Sequence, residues 1–150
     1  MSGKKATPIK LHESKLGRVI FARLSENEDL LEAITLRAKN SKIVTGFFIL
    51  IGVLKKAMVG FYRRGEYQSI EIAGPLEILS CIGNISIREQ EPFVHAHISV
   101  ADEKGEAFGG HVLPGCIIAV TGGELILIEA PDVKLQRKLD EETKLYLWEA

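Results

Sequence analysis

The chain has 150 residues, with 19 Lys+Arg against 20 Asp+Glu and a formal net charge of -1. That balance excludes a nucleic-acid binder working by bulk positive charge. At 46% hydrophobic and 26% charged, it also excludes global disorder and suits one globular domain with a real core.

Met1 to Lys10 lacks the apolar core of a signal peptide. Residues 1–15 are polar and Lys-rich and read as a flexible arm, with the domain over 16–150. Arg18 to Leu24 is a short β-like run. Ser25, with Glu28 three residues on, reads as a capping box opening a helix through SENEDLLEAITLRAKNSK. Within it Leu30, Leu31, Ile34 and Ala38 share one face, and Lys39 and Lys42 suit the negative end of the helix dipole.

The run from Ile43 to Leu54 is the longest apolar stretch and is too short to span a bilayer. No membrane partner is expected, and the default compartment is the cytoplasm. Val44 to Leu54 reads as a buried strand, with Phe47 and Phe48 in the core. Ala57–Tyr62 and Tyr67–Ile72 flank a hairpin turn at Arg63-Arg64-Gly65-Glu66. Glu77–Ile87 reads as a strand pair around Gly83-Asn84, and Gly74-Pro75 and Pro114-Gly115 as turns. Phe93–Ala101, a turn at Asp102–Gly105, and Gly110–Leu113 form a hairpin. Ile117–Thr121 and Leu125–Ile128 form another about Gly122-Gly123, and Leu145–Trp148 is a closing strand packed by Tyr146 and Trp148. One helix among many short strands argues α+β: a mainly antiparallel sheet with the helix packed on it. Cys81 and Cys116 make no CxxC pair and read as small buried apolar residues.

Three of the four histidines fall within 17 residues: His95, His97 and His111. On a strand, i and i+2 share a face. With the turn centred on Lys104, His97 and His111 are each seven residues away and face each other. Cross-strand Cβ atoms lie about 4.5–5.5 Å apart, so three imidazoles can converge on one ion, with Ala96, Gly109 and Gly110 leaving room. Three His with an open fourth position is the catalytic type of zinc site, although imidazole also suits Cu, Ni and Fe. Such a metal can activate water near neutral pH. Glu124, Glu106 and, less favourably placed, Asp102 are the carboxylates that could assist.

Read as GPLEILSCIGNIS over 74–86 and HAHISVADEKGEAFGGHVLPGCIIAVTGGELIL over 95–127, the chain resembles the PPC family, the plant and prokaryote conserved domain. The resemblance spans about residues 16–148 and fits the stand-alone prokaryotic type. It implies a compact α+β fold, a homotrimer, and metal binding through His95, His97 and His111. It also implies a regulatory or DNA-associated role, with DNA as a partner. The Arg-Gly-Arg-Pro element that accompanies the domain in plants is absent, and Pro75 stands where the plant segment typically has Arg. Basic side chains for DNA would come from Lys55-Lys56 and Arg63-Arg64. The chain is also similar, more weakly, to acetolactate decarboxylase, a zinc enzyme of related fold, through the histidine triad alone. The reading is therefore a zinc-binding protein of this family. The alternative is a zinc-dependent lyase, decarboxylase-like, taking a small carboxylate or carbonyl ligand at the metal.

Overall fold

Alternation along a strand puts successive side chains on opposite faces, so a sheet with one covered face must alternate buried and exposed residues. The computed structural model, which describes residues 11–63 and 65–149, shows this pattern most clearly at the start of β2 and along β4. Its elements are β1 (Val19–Leu24), α1 (Leu30–Asn40), β2 (Gly46–Arg63), β3 (Glu66–Arg88), β4 (Glu91–Ala101), β5 (Ala107–Val112), β6 (Ile117–Glu129), β7 (Arg137–Leu139) and β8 (Tyr146–Trp148). β1 to β6 form one antiparallel sheet in the order β1-β6-β2-β3-β4-β5. The fold is thus α+β, a single domain with one helix on a mostly antiparallel sheet. No helix among the described residues is long and apolar enough to cross a membrane.

The helix starts later than the capping-box reading has it. The N-cap is Asp29, whose Oδ1 accepts from the amides of Leu31 and Glu32 at 3.0 and 3.2 Å. Its Oδ2 accepts from Gly115 N at 2.6 Å, tying the helix start to the turn before β6. Half of the capping box survives in the preceding turn, where Glu28 accepts from Ser25 N. Glu28 is held there by Arg37, so Ser25–Glu28 closes a turn against the helix flank and does not start the helix. Leu30, Ala33, Ile34 and Ala38 are buried against the sheet, and Leu31 is only half-buried. Each fully buried Leu or Ile contributes about 1.5–3 kcal/mol. Lys42 lies beyond the helix, with φ +57°, while Arg37 and Lys39 supply the basic last turn.

Three expected turns do not occur. Glu77–Ile87 is not a strand pair: β3 runs unbroken through Gly83-Asn84, and the β3–β4 turn falls at Glu89-Gln90, both with positive φ. Ile117–Ile128 is one strand, in which Gly122 (φ +84°) and its neighbour Gly52 (φ +146°) take up a register shift. A Cβ at Gly52 would lie 2.5 Å from Gly122 O, so the two strands meet there backbone to backbone. Gly74-Pro75 lies inside β3, opposite the shift between Leu54 and Lys56. In each case glycine serves a bulge or a close approach between strands, and a bulge bends a strand without ending it. The β2–β3 hairpin closes at Arg63↔Glu66 as expected, with Arg64 outside the described residues.

The two faces of the sheet differ. One, with Phe48, Leu50, Cys81, Ile85, Ala96, Ile98, Leu125 and Leu127, packs under α1. The other is covered in part by the β7–β8 hairpin, where Arg137 lies on Ser86 and Asn84, and is otherwise open. Phe47, expected in the core, is 41% exposed there beside Ile49 and Ile51, because alternation sends Phe48 inward and Phe47 outward. Trp148 is likewise half exposed. Both cysteines are buried and free, as expected. Burial pushes the Cys81 thiol up to about 12 and the Cys116 thiol to about 11. Of the expected N-terminal arm, residues 1–10 lie outside the described residues. Ser14 and Lys15 are fastened to Asp132: Lys15 N donates to its carboxylate and its amide donates to Ser14 Oγ.

Candidate metal centre

The open face of the sheet carries the histidines. Register aligns Ile49, Ile82, His97 and His111 across β2, β3, β4 and β5, and Phe47, Asn84 and His95 in the next row. The expected pairing His97↔His111 is present. β5 is also paired along its other edge with β2, where Gly60 faces His111. Glycine is needed at that point, since a Cβ on Gly60 would stand 2.8 Å from the Tyr67 ring. Tyr67 uses the space to stack on His111, with centroids 4.3 Å apart and planes at 18°.

Each histidine offers one ligand atom such that all three atoms lie within 4.8 Å of one another. Ring centroids are 5.2 Å apart for His95–His97, 4.9 Å for His95–His111 and 5.5 Å for His97–His111. His95 and His111 are half-buried and His97 is exposed. Burial, with the Arg137 and His97 charges, lowers the pKa of His95. Burial, aided by His95, His97 and Arg137, pushes His111 down to about 4. Both are therefore neutral at pH 7, the form that ligates a metal. His111 Nδ1 is buried and has no hydrogen-bond partner. A buried, unpaired ring nitrogen costs free energy unless something pairs with it, and three ligand atoms stand within 4.8 Å of one another, so the residues present fit a metal ion.

Among the described residues no carboxylate joins them. Asp102 Oδ1 accepts from the amides of Lys104 and Glu106, both at 2.9 Å, and so shapes the β4–β5 turn. Glu106 is exposed at that turn. Glu124 is exposed on β6 and pairs with Ile51 of β2, whereas His111 pairs with Gly60 of β2, an offset of about 30 Å along the strand at ordinary rise. Of the basic residues considered for DNA, Lys55 is bound to Glu26 at 2.6 Å and to Asn27, and Lys56 lies 3.4 Å from Glu71. These pairs are exposed.

The sequence reading missed the second layer of the site. Arg137, from the polar C-terminal stretch, is only 9% exposed. Its Nε donates to Ser86 Oγ at 2.7 Å, Nη1 to Tyr146 O at 2.8 Å and Nη2 to Asn84 Oδ1 at 2.9 Å, and Nη2 lies 3.5 Å from His95 Nδ1. The β7–β8 hairpin thus delivers a guanidinium to the edge of the triad. Arg88 stacks on Tyr146, 3.6 Å from the ring centroid. No local pattern in the sequence marks Arg137, because its role depends on a long-range crossing of the chain over the sheet.

Fold and site together define an α+β sheet protein with a three-histidine cluster on its open face. The chain belongs to the Plants and Prokaryotes Conserved (PCC) domain family, whose family model matches residues 11–131. A plant- and prokaryote-conserved protein from Pyrococcus horikoshii is 36% identical, with TM-score 0.86 over 95% of this chain and 98% of that one. A metal-containing protein from Archaeoglobus fulgidus is 30% identical, with TM-score 0.85 over 95% of this chain and all of that one. A candidate DNA-binding protein from Ralstonia eutropha JMP134 shares the fold at 24% identity, with TM-score 0.75 over 87% of this chain and 90% of that one. Among curated proteins, a bifunctional protein GlmU from a Synechococcus strain is 31% identical over 123 residues. The match takes in 81% of this chain, which spans about a fifth of the length of the curated relatives it matches.

Proposed function

We propose that this protein binds a divalent metal ion, zinc in the first instance, through His95, His97 and His111, and that it works as a homotrimer. The observation that carries the reading is the convergence of three imidazole ligand atoms within 4.8 Å; one of the three rings, His111, also has a buried nitrogen with no hydrogen-bond partner. The metal-containing Archaeoglobus relative, alike over its whole length, supports it. A zinc ion held by three His keeps a position open, where it acts as a Lewis acid toward a small ligand. The protein's own share is to hold two imidazoles neutral, to lock His111 under the Tyr67 ring and to confine the third ligand, His97, at the solvent side. The trimer reading rests on the open sheet face. Phe21 at 75%, Ile82 at 57% and Ile49 at 43% exposure form an apolar surface of the kind that marks association.

Elemental analysis of untagged protein tests the metal. About one ion per chain is expected, lost in His97→Ala while the fold stays intact by circular dichroism. No bound metal after loading with zinc would overturn the reading. Light scattering tests the assembly, with a mass near three times 16.6 kDa expected and a monomer refuting it.

A further inference from the structure

Between the β7–β8 hairpin and the histidine face lies a cavity of about 200 Å³, bordered by His95, His111, Tyr67, Arg88, Arg137 and Tyr146. None of the residues lining it is acidic. Arg137 is buried, and its three nitrogens meet only a hydroxyl, an amide oxygen and a backbone carbonyl, with His95 at the edge. No carboxylate pairs with it among the described residues. Arg88 is about a third exposed; its Nε has no hydrogen-bond partner and is ion-paired at 4.0 Å with the Glu89 carboxylate, which also accepts from the Tyr146 hydroxyl at 3.1 Å. Lys144, at the rim, is already paired with Glu141. Guanidinium groups stay charged at any pH the fold survives. A buried cation without a counter-charge is costly, and a metal ion on the triad would add two further positive charges to the same wall. Every charge that lines this cavity is positive, and Arg137, the buried one, has no anionic partner among the described residues.

We propose that the cavity is a binding site for a small carboxylate. Its carboxylate meets the free edge of the Arg88 fork, steadied by the field of Arg137, and its remaining polar atoms face His95 and His111. A planar carboxylate suits a guanidinium already laid flat on Tyr146, because the edge of the fork is what stays available for paired hydrogen bonds. The volume gives the part of a ligand that the cavity can hold. At about 30 Å³ per water-sized group, 200 Å³ takes a ligand of roughly six or seven non-hydrogen atoms, which is the span of a three-carbon hydroxy acid. The inference deepens the metal reading, which it needs only for the tighter binding expected once metal is loaded.

The test is an NMR titration of the full chain with lactate, lactamide and inorganic phosphate, in metal-free and zinc-loaded protein. Lactamide matches lactate in size and lacks its charge. Lactate is expected to shift the amides of Tyr67, Leu145 and Tyr146, at least fivefold more weakly in Arg88→Gln, with lactamide silent. Zinc content measured after each titration keeps the two readings apart. Lactate binding that depends on Arg88 in a protein that takes up no zinc sustains the cavity and sinks the metal centre. Zinc bound with no lactate shift does the reverse. Equal shifts from lactamide, shifts from phosphate alone, or undiminished binding in Arg88→Gln each overturn the carboxylate site. Should Arg88→Gln fold poorly, Arg88→Lys serves: it keeps the charge and loses the fork, and binding must still weaken.

Discussion

Gly83 shows how closely the proposed metal centre depends on the strand beneath it. It lies on the core face of β3, opposite Ala96, with Asn84 and His95 paired beside it. A Cβ at Gly83 would sit 2.2 Å from His95 O and 2.7 Å from two atoms of the Phe48 ring. The ring is 1% exposed. Restoring ordinary contact to the carbonyl needs β4 to move by roughly 1 Å, given optimal non-bonded separations of 3.5–4.0 Å between carbons and somewhat less to oxygen. Overpacking of this kind costs about 1–3 kcal/mol. With backbone as the obstacle, about 2–3 kcal/mol is expected for Gly83→Ala. At this chain length each kcal/mol lowers Tm by about 2–4 °C, so calorimetry of the metal-free variant should show a fall of roughly 4–12 °C. Because the shifted residue is His95 itself, zinc affinity by competition with a chelating dye should drop about 10–100-fold, the usual cost of disturbing the support of a ligand. Gly105→Ala is the control. Gly105 has φ +79° and nothing within 4 Å of a new Cβ, so it should lose about 1–2 kcal/mol from left-handed backbone and no zinc affinity. A Gly83→Ala protein with wild-type Tm and affinity would show that the β3–β4 seam is not the rigid platform described.

Further outcomes follow from other parts of the fold. Asp29→Ala removes the acceptor of three amides and should cost about 1–2 kcal/mol in urea unfolding. Ser25→Ala should stay within about 0.5 kcal/mol, since Ser25 contributes its backbone N–H and not its hydroxyl; equal losses would restore Ser25 as the cap. Hydrogen bonds from Arg37 hold the Glu28 carboxyl below its ordinary 4.5. The folded pKa is the lower one, so its stabilisation is fully present above about pH 4.5 and fades as pH falls through the folded value. The gap in Tm between wild type and Glu28→Gln should therefore narrow as pH falls from 5 to 3, and a gap that stays constant over that range would contradict the ion pair. Cys81 and Cys116, buried with raised pKa values, should resist a thiol reagent at pH 8 in the folded chain and react fully in urea. Rapid labelling of the native protein would show a looser core.

Much of this protein is local in origin. Alternation over Phe93–Ala101 and a turn at Asp102–Gly105 were enough to place His97 opposite His111, because strand period and hairpin symmetry are properties of neighbouring residues. The helix, the β2–β3 hairpin and the α+β class follow from the same short-range rules. Tertiary structure decided the rest. Glycine reads as a turn in sequence, yet Gly83 and Gly122 sit in continuous strands, where they admit a neighbouring backbone or carry a bulge. Phe47 and Phe48 look alike until one face of the sheet is covered by α1 and the other is left partly open. The partners of the histidines come from distant positions. Tyr67 reaches His111 because β5 pairs with β2 as well as β4. Arg137 reaches His95 because the last hairpin folds across the sheet. Contacts between residues some 40 apart in the chain carry no periodic signature, so the histidines were legible from the sequence and the cationic cavity beside them was not.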